Sequence, residues 1–161
     1  MAALDTKTET TILGTAVEYE KIQFIVIRLG DEQFGINIKY IDNIVRMQHI
    51  TRVPKVQPYF KGVINLRGEV IPVMSLRLKM DLADDEYTNA SRIIIIKLEP
   101  DAAIGVIVDE VKEVVTLDKS CIDKVARDSS GKDFINGIGK SNGGLISLLD
   151  LNTVIGEKEQ G

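Results

Sequence analysis

The sequence predicts an all-β protein made of two small barrels in tandem, each with about five short strands followed by a short helical segment. Three observations carry this expectation: an apolar complement dominated by Ile, Val and Leu, an internal repeat at a spacing of about 70 residues, and glycine-bearing hairpins at matching places in the two copies. Aliphatic β-branched side chains favour half-buried, pleated strands. Aromatic residues make up only 5% of the chain and Trp is absent, while 44% hydrophobic residues over 161 positions suffice for a buried core.

The repeat is visible position by position. Residues 23–29 (QFIVIRL) set against 92–98 (RIIIIKL), with Arg28 on Lys97 and Leu29 on Leu98. Shifted by one, 34–38 (FGINI) meets 104–108 (IGVIV), so that Gly35 and Gly105 coincide, and Ile41, Ile44 and Val45 meet Val111, Val114 and Val115. Residues 62–76 then lie over 137–151 without a gap, with Gly62/Gly137, Gly68/Gly143, Ile71/Ile146 and Leu76/Leu151 identical. A turn joins two apolar runs in each copy, at Arg67-Gly68 and at Asn142-Gly143-Gly144, as a hairpin requires. Helical segments are expected at 75–80 and 150–155.

These elements divide the chain into a tail at 1–18, a first barrel at 19–80, a polar, acidic linker at 81–90, a second barrel at 91–156 and a tail at 157–161, with exchange of terminal strands across the linker left open. Closing each small sheet into a barrel removes its exposed edges. Strand parity places Ile25, Ile27, Leu29, Ile94, Ile96 and Leu98 on one side and Phe24, Val26, Ile93 and Ile95 on the other. One side fills its own barrel; the other lies near the junction between the two.

The start of the chain has no basic region followed by an apolar stretch of signal length, and the longest strongly apolar run, 93–96, is far short of the roughly 20 residues that cross a bilayer. With a single Cys121, read as a small buried thiol, no internal disulfide can form. A soluble, cytoplasmic protein is expected. The net charge of −4 argues against general binding to phosphate backbones, but it is unevenly spread. Between Lys39 and Lys79 eight basic residues (Lys39, Arg46, Arg52, Lys55, Lys61, Arg67, Arg77, Lys79) face only Asp42 and Glu69, a net of +6 against −10 elsewhere. Such asymmetry steers an acidic partner to one face.

Catalytic chemistry finds no set of matched groups. His49 lacks a companion ligand and reads as a surface residue, and Asp84-Asp85-Glu86 reads as a solvated loop in the linker. Gly139-Lys140-Ser141 copies the end of a phosphate loop, yet Phe134 stands where its first glycine belongs and glycines follow where a helix should start. No catalytic residue, metal or cofactor is therefore expected. Arg67 stands out instead: on a hairpin between Asn65-Leu66 and Gly68, a long, multi-donor cation is displayed rather than packed.

Residues 53–73, with the core Gly62-Val-Ile-Asn-Leu-Arg-Gly68, resemble the signature segment of the CheW family. Further matches at Phe34-Gly-Ile36, Ile41, Ile44, 105–109, 137–139 and 148–151 extend the resemblance over roughly 23–155. It implies two five-stranded, SH3-like barrels and a non-enzymatic adaptor between the cytoplasmic tip of a chemoreceptor and the regulatory domain of the CheA histidine kinase. By position it implies receptor contact at Ile41, Gly62, Asn65 and Arg67, at a groove between the barrels. It points to kinase contact around Ile38 and Asn43, where relatives often carry an acidic residue in place of Asn43. Recruitment to membrane-bound receptor arrays is implied, without direct membrane insertion or nucleic-acid binding.

The same fold occurs as a module of larger signalling proteins. The chain ends at Gly161 soon after the last repeat, which favours a free-standing adaptor over an excised regulatory domain. A small β-barrel that binds nucleic acid is the alternative of a different class; it calls for a basic pI and aromatic strand faces, against a pI near 5.1 here.

Overall fold

The computed structural model describes residues 20–125, 134–141 and 144–155. The expected tails and the Asn142-Gly143 part of the second turn lie outside the described residues. The strands are β1 (Lys21–Leu29), β2 (Glu32–Asn37), β3 (Ile41–Arg46), β4 (Phe60–Leu66), β5 (Glu69–Ser75), β6 (Arg92–Glu99), β7 (Ala102–Val108), β8 (Glu110–Asp118), β9 (Asp123–Lys124), β10 (Ile135–Ser141) and β11 (Gly144–Leu149). Two short helices, α1 (Leu76–Lys79) and α2 (Leu151–Ile155), end the two copies as expected. Ser75 caps α1, its hydroxyl accepting from the Leu78 N–H.

The strands form a six-stranded sheet in the order β8-β1-β2-β11-β10-β9 and a five-stranded sheet in the order β3-β6-β7-β5-β4. The duplication is reproduced in the register. β2 runs parallel to β11 with Gly35 opposite Leu148, and β7 runs parallel to β5 with Gly105 opposite Val73. The two-residue β9 meets β10 at Ile138, just as Thr51 bridges the corresponding Val63 of β4.

The sheets do not follow the contiguous division into 19–80 and 91–156. β1 and β2 of the first copy join β8 to β11 of the second, and β6 and β7 of the second join β3, β4 and β5 of the first. Equivalent pairing edges in duplicated units make such an exchange cheap, as in a domain swap within one chain. Residues 81–90 accordingly connect α1 to β6 within the five-stranded sheet rather than linking two separate barrels.

Strand parity sorts the core as anticipated. Phe24, Val26, Leu117, Ile146 and Leu148 fill the six-stranded sheet. Ile64, Ile71, Val73, Ile93, Ile95 and Ile107 fill the five-stranded one. The opposite faces meet in a shared cluster that includes Ile25, Ile27, Leu29, Met74, Ile94, Ile96, Val106 and Leu149. The continuous apolar runs of β1 and β6 are thus buried on both sides, which is why they show no polar alternation.

A carboxylate ties the two sheets together at one end of this junction. Asp109, between β7 and β8, receives the Arg77 guanidinium on both oxygens (2.9 and 2.6 Å) and the Gly30 N–H (2.8 Å). Arg77 also donates to the Ala83 carbonyl, and Arg28 pairs with Glu110 at 2.8 Å. The hydrogen bonds from Arg77, reinforced by the Gly30 amide, outweigh the effect of burial and hold the Asp109 carboxyl below the usual carboxylate range.

Cys121 is exposed, because the 3-10 turn Lys119–Cys121 carries it over the surface rather than into a sheet. The acidic linker is not simply solvated. Asp84 bonds Lys61 at 2.7 Å, and Asp85 is half-buried with both carboxylate oxygens shielded, so burial pushes its carboxyl up. The Lys61 hydrogen bond is also the main influence lowering Asp84. With 60% of the Asp84 side chain exposed, Asp84→Asn is expected to change stability by less than about 1 kcal/mol in urea melts.

Candidate partner-docking site

Among the described residues no group of three or more His, Cys, Asp or Glu could hold a metal ion, and His49 is exposed. Gly139-Lys140-Ser141 is extended within β10, a geometry that offers no helix start to a phosphate. Among the described residues no helix is long and apolar enough to cross a membrane. What the described surface does carry is an exposed hairpin and an uneven distribution of charge.

Its most distinctive part is the β4–β5 hairpin. Leu66 faces Glu69, leaving a two-residue turn in which Arg67 has φ 54° and Gly68 φ 83°. Positive φ at both positions defines a type I′ turn, whose twist matches that of the strands. Arg67 carries a Cβ in the left-handed region, where only Gly sits freely. The Asn65 side chain holds the turn: its Oδ1 accepts the Gly68 N–H at 3.1 Å. Sequence reasoning placed Asn65 beside Arg67 without foreseeing this hydrogen bond.

The outer face of the hairpin is continuous with the junction between the sheets. At its base Met74 is buried in the shared cluster and its cross-strand partner Phe60 packs against it. Moving toward the tip along the same face come the pairs Val63–Pro72 and Asn65–Val70, and then Arg67. Pro72, Asn65 and Arg67 are exposed, and Val70, at 63%, is the most exposed large apolar residue described. Val70 and Pro72 went unrecognised in the sequence, although their alternation with the buried Ile71 and Val73 marks them as outward-facing.

Ile41 and Ile38 lie together at the margin of the shared cluster, Ile41 on β3 opposite Ile96 and Ile38 in the 3-10 turn before it. Asn43 follows a bulge in β3, and its Oδ1 accepts the Ile44 N–H. Gly62 is not displayed. It is buried at φ 140°, and a Cβ there would stand 2.1 Å from the Thr51 carbonyl oxygen. The Thr51–Val63 bridge, which joins the chain beyond β3 to the sheet edge at β4, requires this close approach.

The positive window is only partly neutralised. Lys61 and Arg77 are paired, and Lys79 and Lys39 lie over the rings of Tyr59 and Tyr40. Arg46, Arg52, Lys55 and Arg67 are exposed and form no ion pair with a described residue.

A CheW-like domain model matches residues 23–159, most of the chain. The chain belongs to the CheW family. It is 38% identical over 136 residues to the chemotaxis protein CheW of Bacillus subtilis (strain 168), covering 83% of this chain and 86% of the relative. The chemotaxis protein CheW of Helicobacter pylori (strain ATCC 700392 / 26695) is 34% identical, with 84% and 82% covered. Among solved structures, the scaffolding protein TtCheW from Thermoanaerobacter tengcongensis superposes with a TM-score of 0.77 at 28% identity, covering 86% of this chain and 95% of that one. The two sheets are the two SH3-like barrels of the CheW fold, and the family ties the chain to chemotaxis as a scaffold.

Proposed function

We propose that this protein is a non-enzymatic chemotaxis adaptor that couples the cytoplasmic tip of a chemoreceptor to the regulatory domain of the CheA histidine kinase. It acts in the cytoplasm at membrane-bound receptor arrays, without a cofactor. The observation that carries the reading is the Arg67 turn, a cation held out by an Asn65 hydrogen bond at the end of an apolar strip. A guanidinium in that position meets the carboxylates of a helical partner, while the strip accepts its apolar side. Arg67 and Asn65 belong to the receptor side, with Ile41 at the junction and Gly62 supporting the hairpin from below. Ile38 and Asn43 belong to the kinase side, where an uncharged Asn43 replaces ion pairing by hydrogen bonding.

The test is co-sedimentation of the chain with receptor-bearing membranes, alongside capture by the kinase regulatory domain. Arg67→Glu is expected to weaken receptor binding at least about tenfold, to leave kinase capture intact and to melt like wild type. Full receptor binding by the folded variant overturns the assignment of this site.

A further inference from the structure

The duplication supplies an internal comparison. The hairpin β10–β11 is the counterpart of β4–β5, and Leu145 occupies the place of Val70. At 61% and 63% exposure these are the two most exposed large apolar residues described. Their surroundings differ. On β10–β11 the outward pairs are Ile138–Ser147 and Lys140–Leu145, so a hydroxyl and an ammonium interrupt the strip. On β4–β5 the pairs are Val63–Pro72 and Asn65–Val70, apolar but for the one amide already engaged by the turn. Leu145 also shares its groove with two anions, Asp31 and Glu32, and two cations, Arg28 and Lys112, so no single sign of charge favours an acidic occupant there.

We infer that Val70 is the apolar anchor of a one-sided docking strip, Val63–Pro72–Val70, which seats an amphipathic helix with its carboxylates toward Arg67, and that Leu145 has no such role. The inference rests on the receptor reading given above. The strip is continuous with the inter-sheet cluster through Met74, so an apolar helix face laid on it extends an existing core. Two strands span about 10 Å, close to the width of one helix. The exposed Arg46, Arg52, Lys55 and Arg67 favour an acidic occupant in this half, whereas the chain outside the positive window carries net negative charge.

The experiment compares wild type, Val70→Ser, Leu145→Ser and Arg67→Glu for binding to receptor-bearing membranes, with thermal melts as the folding check. Val70→Ser is expected to weaken binding about tenfold and Leu145→Ser less than twofold, both with wild-type melting because each side chain lies outside the core. If Arg67→Glu loses binding while Val70→Ser retains it, the anchor is wrong and the hairpin site stands. Equal losses in Val70→Ser and Leu145→Ser overturn the one-sidedness. If Arg67→Glu binds normally, the underlying receptor site itself fails.

Discussion

Gly62→Ala is expected to cost about 4 kcal/mol or more and to lower the melting temperature by about 10 °C. Two penalties coincide at this position. A φ of 140° is open to Gly but strained for any L side chain, and the added Cβ would sit 2.1 Å from the Thr51 carbonyl oxygen, with Ile50 at 2.9 Å. A backbone oxygen cannot rotate aside as a side chain can. Relief requires parting Thr51 from Val63, which gives up both 2.8 Å hydrogen bonds of that bridge. Gly68→Ala is the informative control, since it has a similarly positive φ of 83° but nothing within 4 Å of the new Cβ. It is expected to cost only about 1 kcal/mol. Thermal melts of the two variants check the contrast, and equal losses would show that conformational strain alone governs both sites. Receptor binding lost in Gly62→Ala then reports a displaced hairpin, in contrast to Arg67→Glu, whose altered group is exposed.

Much of this architecture is legible in the sequence, for identifiable reasons. The runs of β1 and β6 are apolar at every position, and residues buried on both faces leave that trace, so the division of Phe24 and Val26 from Ile25 and Ile27 between two cores follows from parity alone. The Arg67-Gly68 turn is legible because a Gly separates two apolar runs, although Arg is not a residue that favours the positive φ of the first turn position. The exchange of hairpins between the copies is not. Leu148 opposite Gly35 and Val73 opposite Gly105 are equivalent contacts, so a pattern that marks the pairing edges cannot say which copy supplies the partner strand. The burial of Asp85 was hidden for a similar reason: a run of acidic residues reads as solvated until the path of the chain over Ser75 and Lys61 is known. Of the proposed docking site, the charged tip is visible in the sequence and the apolar strip is not, because a single Val on a strand has no signature until its face is assigned.

Asp109→Asn is expected to destabilise the protein by about 3 kcal/mol at neutral pH. The carboxylate is only 14% exposed and its principal partner Arg77 only 18%. An amide oxygen in the Oδ2 position can still accept from Arg77 Nη2 and the Gly30 N–H, but its NH2 group then meets the Arg77 Nε–H donor, and a guanidinium shielded from water loses its countercharge. The pH dependence separates this from a loss of packing. Because the folded state holds the Asp109 carboxyl below its ordinary range, its contribution is fully present above the unfolded carboxylate value and disappears as the pH falls through the lower, folded one. The gap between wild type and Asp109→Asn in urea melts therefore narrows on acidification. Asp85 runs the other way. Burial raises its folded value, so ionisation there opposes folding above that value, and the cost is relieved as the pH falls through it. Asp85→Asn is accordingly expected to gain on wild type at neutral pH, with the advantage fading in acid. A deficit in Asp109→Asn that stays constant from neutral pH into the acid range would mean that the side chain acts by shape rather than charge. A narrowing gap instead identifies charge as the means by which Asp109, joined to the β1–β2 turn at Gly30 and to α1 at Arg77, bridges the two barrels at the β7–β8 crossing.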